Sequence, residues 1–161
     1  MHRFVMLVVA AAMLFVLATP VGATPPSDVR IEVEATCPEN QSCSYGPFNA
    51  SGPSVDAGLI CSRGEMRDIM GQASGYHSGS RINFHIRKLF TCEDGSGSFT
   101  LNLQVRLKFF PFSDVGDWNV LEGTKGYAKL HGSGKLEGVL VSVTETETEI
   151  LDIYTGQIHV D

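Results

Sequence analysis

Apolar and polar residues alternate without a slip from Ser98 to Phe109. Phe99, Leu101, Leu103, Val105, Leu107 and Phe109 share one side of an extended chain, and Thr100, Asn102, Gln104, Arg106 and Lys108 share the other. That is the period of two that a half-buried β-strand requires. At about 3.3 Å per residue the strand is roughly 40 Å long, so other strands must lie beside it and share its apolar face.

The same period recurs elsewhere. Val29, Ile31, Val33 and Ala35 alternate with Arg30, Glu32 and Glu34 as a first strand, after a Pro-containing lead-in from Thr24 to Asp28. Arg81 to Cys92 sets Ile82, Phe84 and Ile86 against Arg81, Asn83, His85 and Arg87. The turn Glu93-Asp94-Gly95-Ser96-Gly97 joins that strand to the long one as a β-hairpin, and Pro111, with no donor, stops the long strand. Val55 to Cys61 and Glu65 to Ala73 read as short strands joined at Ser62-Arg63-Gly64, with a turn from Gly75 to Ser80.

Thr36 to Pro53, holding Gly46-Pro47 and Gly52-Pro53, reads as an irregular loop. Between Asp117 and Val141 four glycines, Gly123, Gly126, Gly132 and Gly134, separate a Trp-containing strand from an apolar one. Tyr127 to Leu130 reads as a single helical turn between them, and the glycines as tight bends of a closed sheet. Thr144 to Glu149, TETETE, sets three glutamates on one face that could collect a cation; the preferred reading is that it keeps an exposed edge or a hairpin tip from pairing with another molecule, and Ile150 to Val160 closes the chain.

About eight strands and no convincing helix outside the amino terminus predict an all-β domain. Two architectures fit, a closed antiparallel barrel of about eight strands and a two-sheet sandwich. An immunoglobulin-type sandwich is disfavoured because Trp118 lies beyond Cys92 rather than between bridged cysteines. An outer-membrane barrel is disfavoured because no aromatic girdles flank the apolar residues and the chain ends in the polar His159-Val160-Asp161.

The amino terminus changes the picture of where the protein works. His2 and Arg3 precede an unbroken apolar run from Phe4 to Leu17, which as a helix spans only about 21 Å, short of a hydrocarbon core of about 30 Å. Pro20 and Val21-Gly22-Ala23 follow, so residues 1–23 are expected to be a signal peptide cleaved before Thr24, leaving one secreted domain, 24–161. Without Arg3, eleven Lys and Arg face eighteen Asp and Glu, a net charge of about −7. That balance favours solubility and argues against nucleic acid as a partner. After cleavage no stable membrane insertion is expected.

Cys37, Cys43, Cys61 and Cys92 all lie in the expected mature chain, and an even count in an exported protein reads as two disulfides. Of the three pairings possible we take Cys37 with Cys43, closing the turn Pro38 to Ser42, and Cys61 with Cys92, tying two strand segments together. A zinc site would need C-x-x-C or H-x₃-H spacing, and neither is present.

Candidate catalytic chemistry is sparse. Glu32 and Glu34, two apart on one strand face, read as a solvated surface rather than an acid-base pair. His85 lies on the polar side of its strand with no nucleophile or acid at a fixed spacing. The Asp94 turn lacks the spacing of a calcium loop. The glycines fit neither phosphate-binding pattern, and Ser133 in Gly132-Ser133-Gly134 is not a nucleophile elbow. Asn40-Gln41-Ser42 and Asn49-Ala50-Ser51 are glycosylation sequons if the source is a eukaryote. No catalytic residue, cofactor or metal is assigned.

Trp118-Asn119-Val120, Gly123-Thr124-Lys125-Gly126-Tyr127-Ala128 and Gly132-Ser133-Gly134 resemble the glycine-threonine-glycine turn and following strand of the allene oxide cyclase and dirigent barrels. Asp152-Ile153-Tyr154-Thr155-Gly156 and the turn from Cys92 to Phe99 look like the small secreted bacterial branch of that superfamily. Glu122-Gly123 stands in place of the usual two glycines, and the two disulfides are a further departure. The resemblance implies an eight-stranded barrel and carries over no catalytic residue.

An eight-stranded barrel has an interior that side chains fill or that holds one small ligand. The expectation is therefore a secreted, non-catalytic barrel that binds a small apolar molecule or a protein partner, with Trp118 and Tyr127 as pocket candidates. The alternatives are an isomerase or cyclase acting on an apolar substrate inside the barrel, which the resemblance suggests, and an interaction module presenting Thr36 to Pro53.

Overall fold

In a computed structural model of the protein, which describes residues 23–38, 45–77 and 81–161, eight antiparallel strands close into a barrel. They are β1 (Ser27–Pro38), β2 (Tyr45–Ser51), β3 (Arg63–His77), β4 (Arg81–Cys92), β5 (Ser98–Phe109), β6 (Phe112–Gly123), β7 (Leu130–Val143) and β8 (Glu147–Val160). Each strand pairs with the next, and β8 returns to β1 with Ser27 opposite Ile158 and Pro38 opposite Glu147. The sandwich alternative is thereby excluded. Residues 1–22 of the expected signal segment, together with Asn40, Cys43 and Ser78 to Ser80, lie outside the described residues.

The two most regular patterns became β4 and β5 with the expected bounds, paired along their whole length from Arg81 opposite Lys108 to Thr91 opposite Ser98. Several expectations are corrected, among them the turn expected to begin at Gly75, since β3 runs on to His77. Tyr45 to Ser51, read within a loop, is strand β2, with Gly46, Phe48 and Ala50 buried and Tyr45, Pro47 and Asn49 exposed. Its inward positions include a glycine, which hides the apolar alternation; a Cβ on Gly46 would press on the β1 backbone at Ala35 Cα, 3.3 Å away. Val55 to Cys61, read as a strand, begins instead inside a short helix α1 (Pro53–Asp56), entered through Gly52 at φ 106° with Pro53 at its first position.

Helix α1 and a 3-10 turn at Lys125–Tyr127 lie at one end of the barrel, together with the β4–β5 turn. The 3-10 turn sits slightly earlier than the helical turn expected at Tyr127 to Leu130. Ser54 Oγ donates to Asp28 O at 2.6 Å, fixing α1 against β1, and Ile60 and Leu59 pack onto the core. The disulfide Cys61–Cys92 joins the segment after α1 to the end of β4 across 31 residues, which stabilises by roughly 3 to 4 kcal/mol on the chain-entropy model. Cys37 is also disulfide-bonded, and its expected partner Cys43 lies outside the described residues.

The lumen behind this end is packed solid. Phe90 stacks on Phe99 with ring centres 5.1 Å apart, Phe48 meets Phe90 edge-on at 5.3 Å, and Tyr154 meets Phe90 edge-on at 5.7 Å. Each such ring buries about 150 to 250 Å². Trp118 fits beside them because Gly134 and Gly156 face each other across β7 and β8. A Cβ on either would come within 2.7 and 2.6 Å of the indole ring. These glycines make room for a side chain inside the barrel rather than bending the sheet.

Candidate functional site

The other half of the lumen is hollow. A cavity of about 960 Å³ opens where β1, β3, β5 and β7 end. It exists because the inward positions there are small: Ala35, Gly71 and Ala73 line it, where the packed half has Phe48, Phe90 and Tyr154. The bulge at Ile69, between Asp68 and Met70 in β3, shifts the phase of the strand. Beyond it Gly71 and Ala73 pair with the inward-facing Ile86 and Phe84, and a Cβ added to Gly71 would meet nothing within 4 Å. Ile86, Val105, Leu107, Leu140 and Ile150 form the apolar walls.

The floor of the cavity is polar. Asp68 on β3, Lys88 on β4, Asp114 on β6 and Asp152 on β8 all line it, one layer above the aromatic plug. Lys88, with a side chain 6% exposed, lies with its Nζ 3.1 Å from Asp68 Oδ1 and 3.5 Å from Asp152 Oδ2. The Asp68 contact is off the direction of a hydrogen bond, but charge attraction does not depend on direction and the ion pair stands. Tyr154 donates its hydroxyl proton to Asp152 Oδ2 at 3.3 Å. Gly138 on β7 leaves room for Asp114, since a Cβ there would lie 2.7 Å from Asp114 Cβ.

Burial and mutual repulsion set the protonation of this layer. Burial, then the charge of Asp152, pushes the Asp114 carboxyl up to about 7, with Lys88 opposing. Asp68 is also raised, because burial outweighs the attraction of Lys88. For Lys88 burial favours the neutral amine, yet Asp152, Asp68 and Asp114 together hold it above the usual lysine range, so it stays charged. The Tyr154 phenol is raised well above its ordinary value, first by burial and then by the surrounding carboxylates. A site of this kind grips a polar head with charge and hydrogen bonds, and a carboxyl that titrates near neutrality can move a proton.

Trp118 and Tyr127, the two pocket candidates, both lie in the packed half and do not line the cavity. Trp118 is 2% exposed and donates Nε1–H to Lys135 O at 3.1 Å. Tyr127 packs edge-on against Phe99, its hydroxyl 2.6 Å from Ser96 Oγ and 3.4 Å from Cys92 Sγ, which as a disulfide sulfur only accepts. Of Leu101, Leu103 and Val105, only Val105 reaches the cavity, the other two being buried in the core. His85 is exposed on the outer face, and Glu32 pairs with Arg30 at 2.6 Å on the surface.

Sequence reasoning missed the polar floor, although a signal was present. Lys88 has the parity of Ile82, Phe84 and Ile86, Asp152 that of Tyr154, and Asp114 that of Trp118. A charged residue in phase with the inward face marks a buried polar group. Among the described residues no group of three or more His, Cys, Asp or Glu is placed to hold a metal ion. Compared with known proteins, the chain matches no family model, no curated protein and no solved structure.

Proposed function

We propose that this protein binds one small, largely apolar molecule in the open half of its barrel, body against the apolar walls and polar head on the floor. The observation that carries this reading is a cavity of about 960 Å³, within the range of sites that hold a single small ligand, in a barrel whose other half is filled. An apolar body would gain roughly 25 cal/mol for each Å² removed from water. The likeness to the allene oxide cyclase and dirigent barrels supports it through the fold alone. The protein works after export: the Cys61–Cys92 disulfide suits an oxidising compartment. The outer face, with Arg30, Glu34, Arg87, Gln104 and Arg106 exposed, suits water rather than lipid.

The test is a thermal-shift screen of fatty acids, terpenoids and aromatic metabolites, with native mass spectrometry of the protein as secreted. Binding to the folded state alone raises Tm. The shift should vanish in Gly71→Leu, whose side chain is added at a cavity-lining position where a Cβ meets nothing within 4 Å. No shift with any class and no retained ligand would leave a protein partner as the remaining reading. A second reading, isomerase or cyclase chemistry on an apolar substrate, is favoured by one observation, the Asp114 carboxyl held at about 7 inside an apolar lumen. Conversion of a bound compound to an isomer of equal mass, lost in Asp114→Asn, would select it.

A further inference from the structure

The composition of the floor bears on the chemistry of the ligand's head. Three carboxylates, Asp68, Asp114 and Asp152, share one ammonium, Lys88, and that ammonium is already held between Asp68 and Asp152. The Tyr154 hydroxyl is spent on Asp152. Asp114 is different: its Oδ1 is buried and has no hydrogen-bond partner among the described residues, and its side chain lines the cavity. The Asp114 carboxylate, half-buried at the cavity wall, therefore meets a ligand able to donate with no competing hydrogen-bond donor among the described residues.

We infer that the lumen ligand is a lipophilic amine, its protonated nitrogen donating to Asp114 and its apolar body lying along Ile86, Val105, Leu107, Leu140 and Ile150. This rests on the lumen-binding reading above and deepens it. Charge decides among the possible heads. An anionic head would add a fourth negative group to a layer that holds one cation. A hydroxyl head would donate to the Asp114 carboxylate but leave the excess charge standing. An ammonium supplies both the donor and the missing positive charge, adding Coulomb attraction to the hydrogen bond that a hydroxyl would also make to the carboxylate.

The groups that face Asp114 give the pH dependence its sign. Asp68 from β3, Lys88 from β4, and Asp152 and Tyr154 from β8 are the titratable ones, while β5 and β7 present Val105, Leu107, Gly138 and Leu140 there. Lys88 stays charged and Tyr154 neutral across the neutral range. Asp114 is thus the group that ionises near pH 7, and an alkylamine is still protonated at pH 8. Amine affinity therefore rises as pH rises through 7.

Calorimetric titration of the whole folded domain with octylamine, octanol and octanoate tests this, since the three share one tail and differ in the head. At pH 8 octylamine should bind at least tenfold tighter than octanol, and octanoate more weakly than either. Octylamine should bind roughly tenfold more weakly at pH 6 than at pH 8, following the ionised fraction of a group titrating near 7, with octanol changing by much less. In Asp114→Asn the amine advantage and its pH dependence should both disappear, leaving octylamine and octanol within about twofold of each other. Equal affinity for amine and alcohol, or an amine preference that survives Asp114→Asn, would overturn the inference while leaving lumen binding intact. Binding of none of the three would overturn lumen binding and the inference together.

Discussion

Asp114→Asn also tests the electrostatic account of the barrel floor without any ligand. The carboxyl rises from 3.8 to about 7 on folding because it is buried and lies near Asp152. A group raised in this way contributes stability that is fully present below its unfolded value and is lost as pH rises through its folded value. At pH 8, with Asp114 ionised in both states, its burial opposes folding by roughly 4 kcal/mol, at about 1.4 kcal/mol per pH unit. At pH 5 the folded protein keeps the proton and the opposition is only about 1.5 kcal/mol. Asparagine has the same shape, carries no charge at either pH and can donate to the neighbouring carboxylates. The variant should therefore be more stable than the native protein, by a margin that grows between pH 5 and pH 8 by roughly 2.5 kcal/mol. Urea denaturation at both pH values measures that margin. Curves for the two proteins that shift in parallel between pH 5 and pH 8 would show that Asp114 does not titrate in this range, and the floor would need a different charge assignment.

Two further outcomes follow from the packing. Leu103→Asp places a carboxylate in a site with no exposure, whereas Gln104→Asp changes an exposed neighbour on the opposite face; the first should cost several kcal/mol in denaturant titration and the second under about 0.5. Gly134→Ala drives a methyl to within 2.7 Å of the Trp118 ring and should lower stability by about 1 to 3 kcal/mol, with a change in tryptophan fluorescence that an exposed glycine such as Gly58 would not produce.

The sequence by itself determined which segments extend and which face of each is buried. In β4 and β5 the period of two is unbroken, and the side-chain alternation of an extended chain is a local property that needs no partner to be read. Strand number and turn spacing admitted a closed barrel or a two-sheet sandwich, and pairing of β8 with β1 decided for the barrel. Even the charged residues of the floor carried a local mark, because Lys88 and Asp152 sit in phase with Ile86 and Tyr154. Where the local signal was weak, tertiary contacts decided. Gly46 and Pro47 obscured β2, which forms because β1 and β3 offer it ladders on both sides. Gly52 and Pro53 start the short helix Pro53–Asp56 at the filled end of the barrel, so the stretch from Val55 does not extend as a strand. The bulge at Ile69 set which residues of β3 face inward, and so whether the lumen there is filled or hollow. Only closure of β8 onto β1 brought Asp68, Lys88, Asp114 and Asp152, from four different strands, to one level of the lumen. Alternation tells each strand which side chains turn inward, but the level at which they meet depends on register around the whole barrel, and no single strand contains that information.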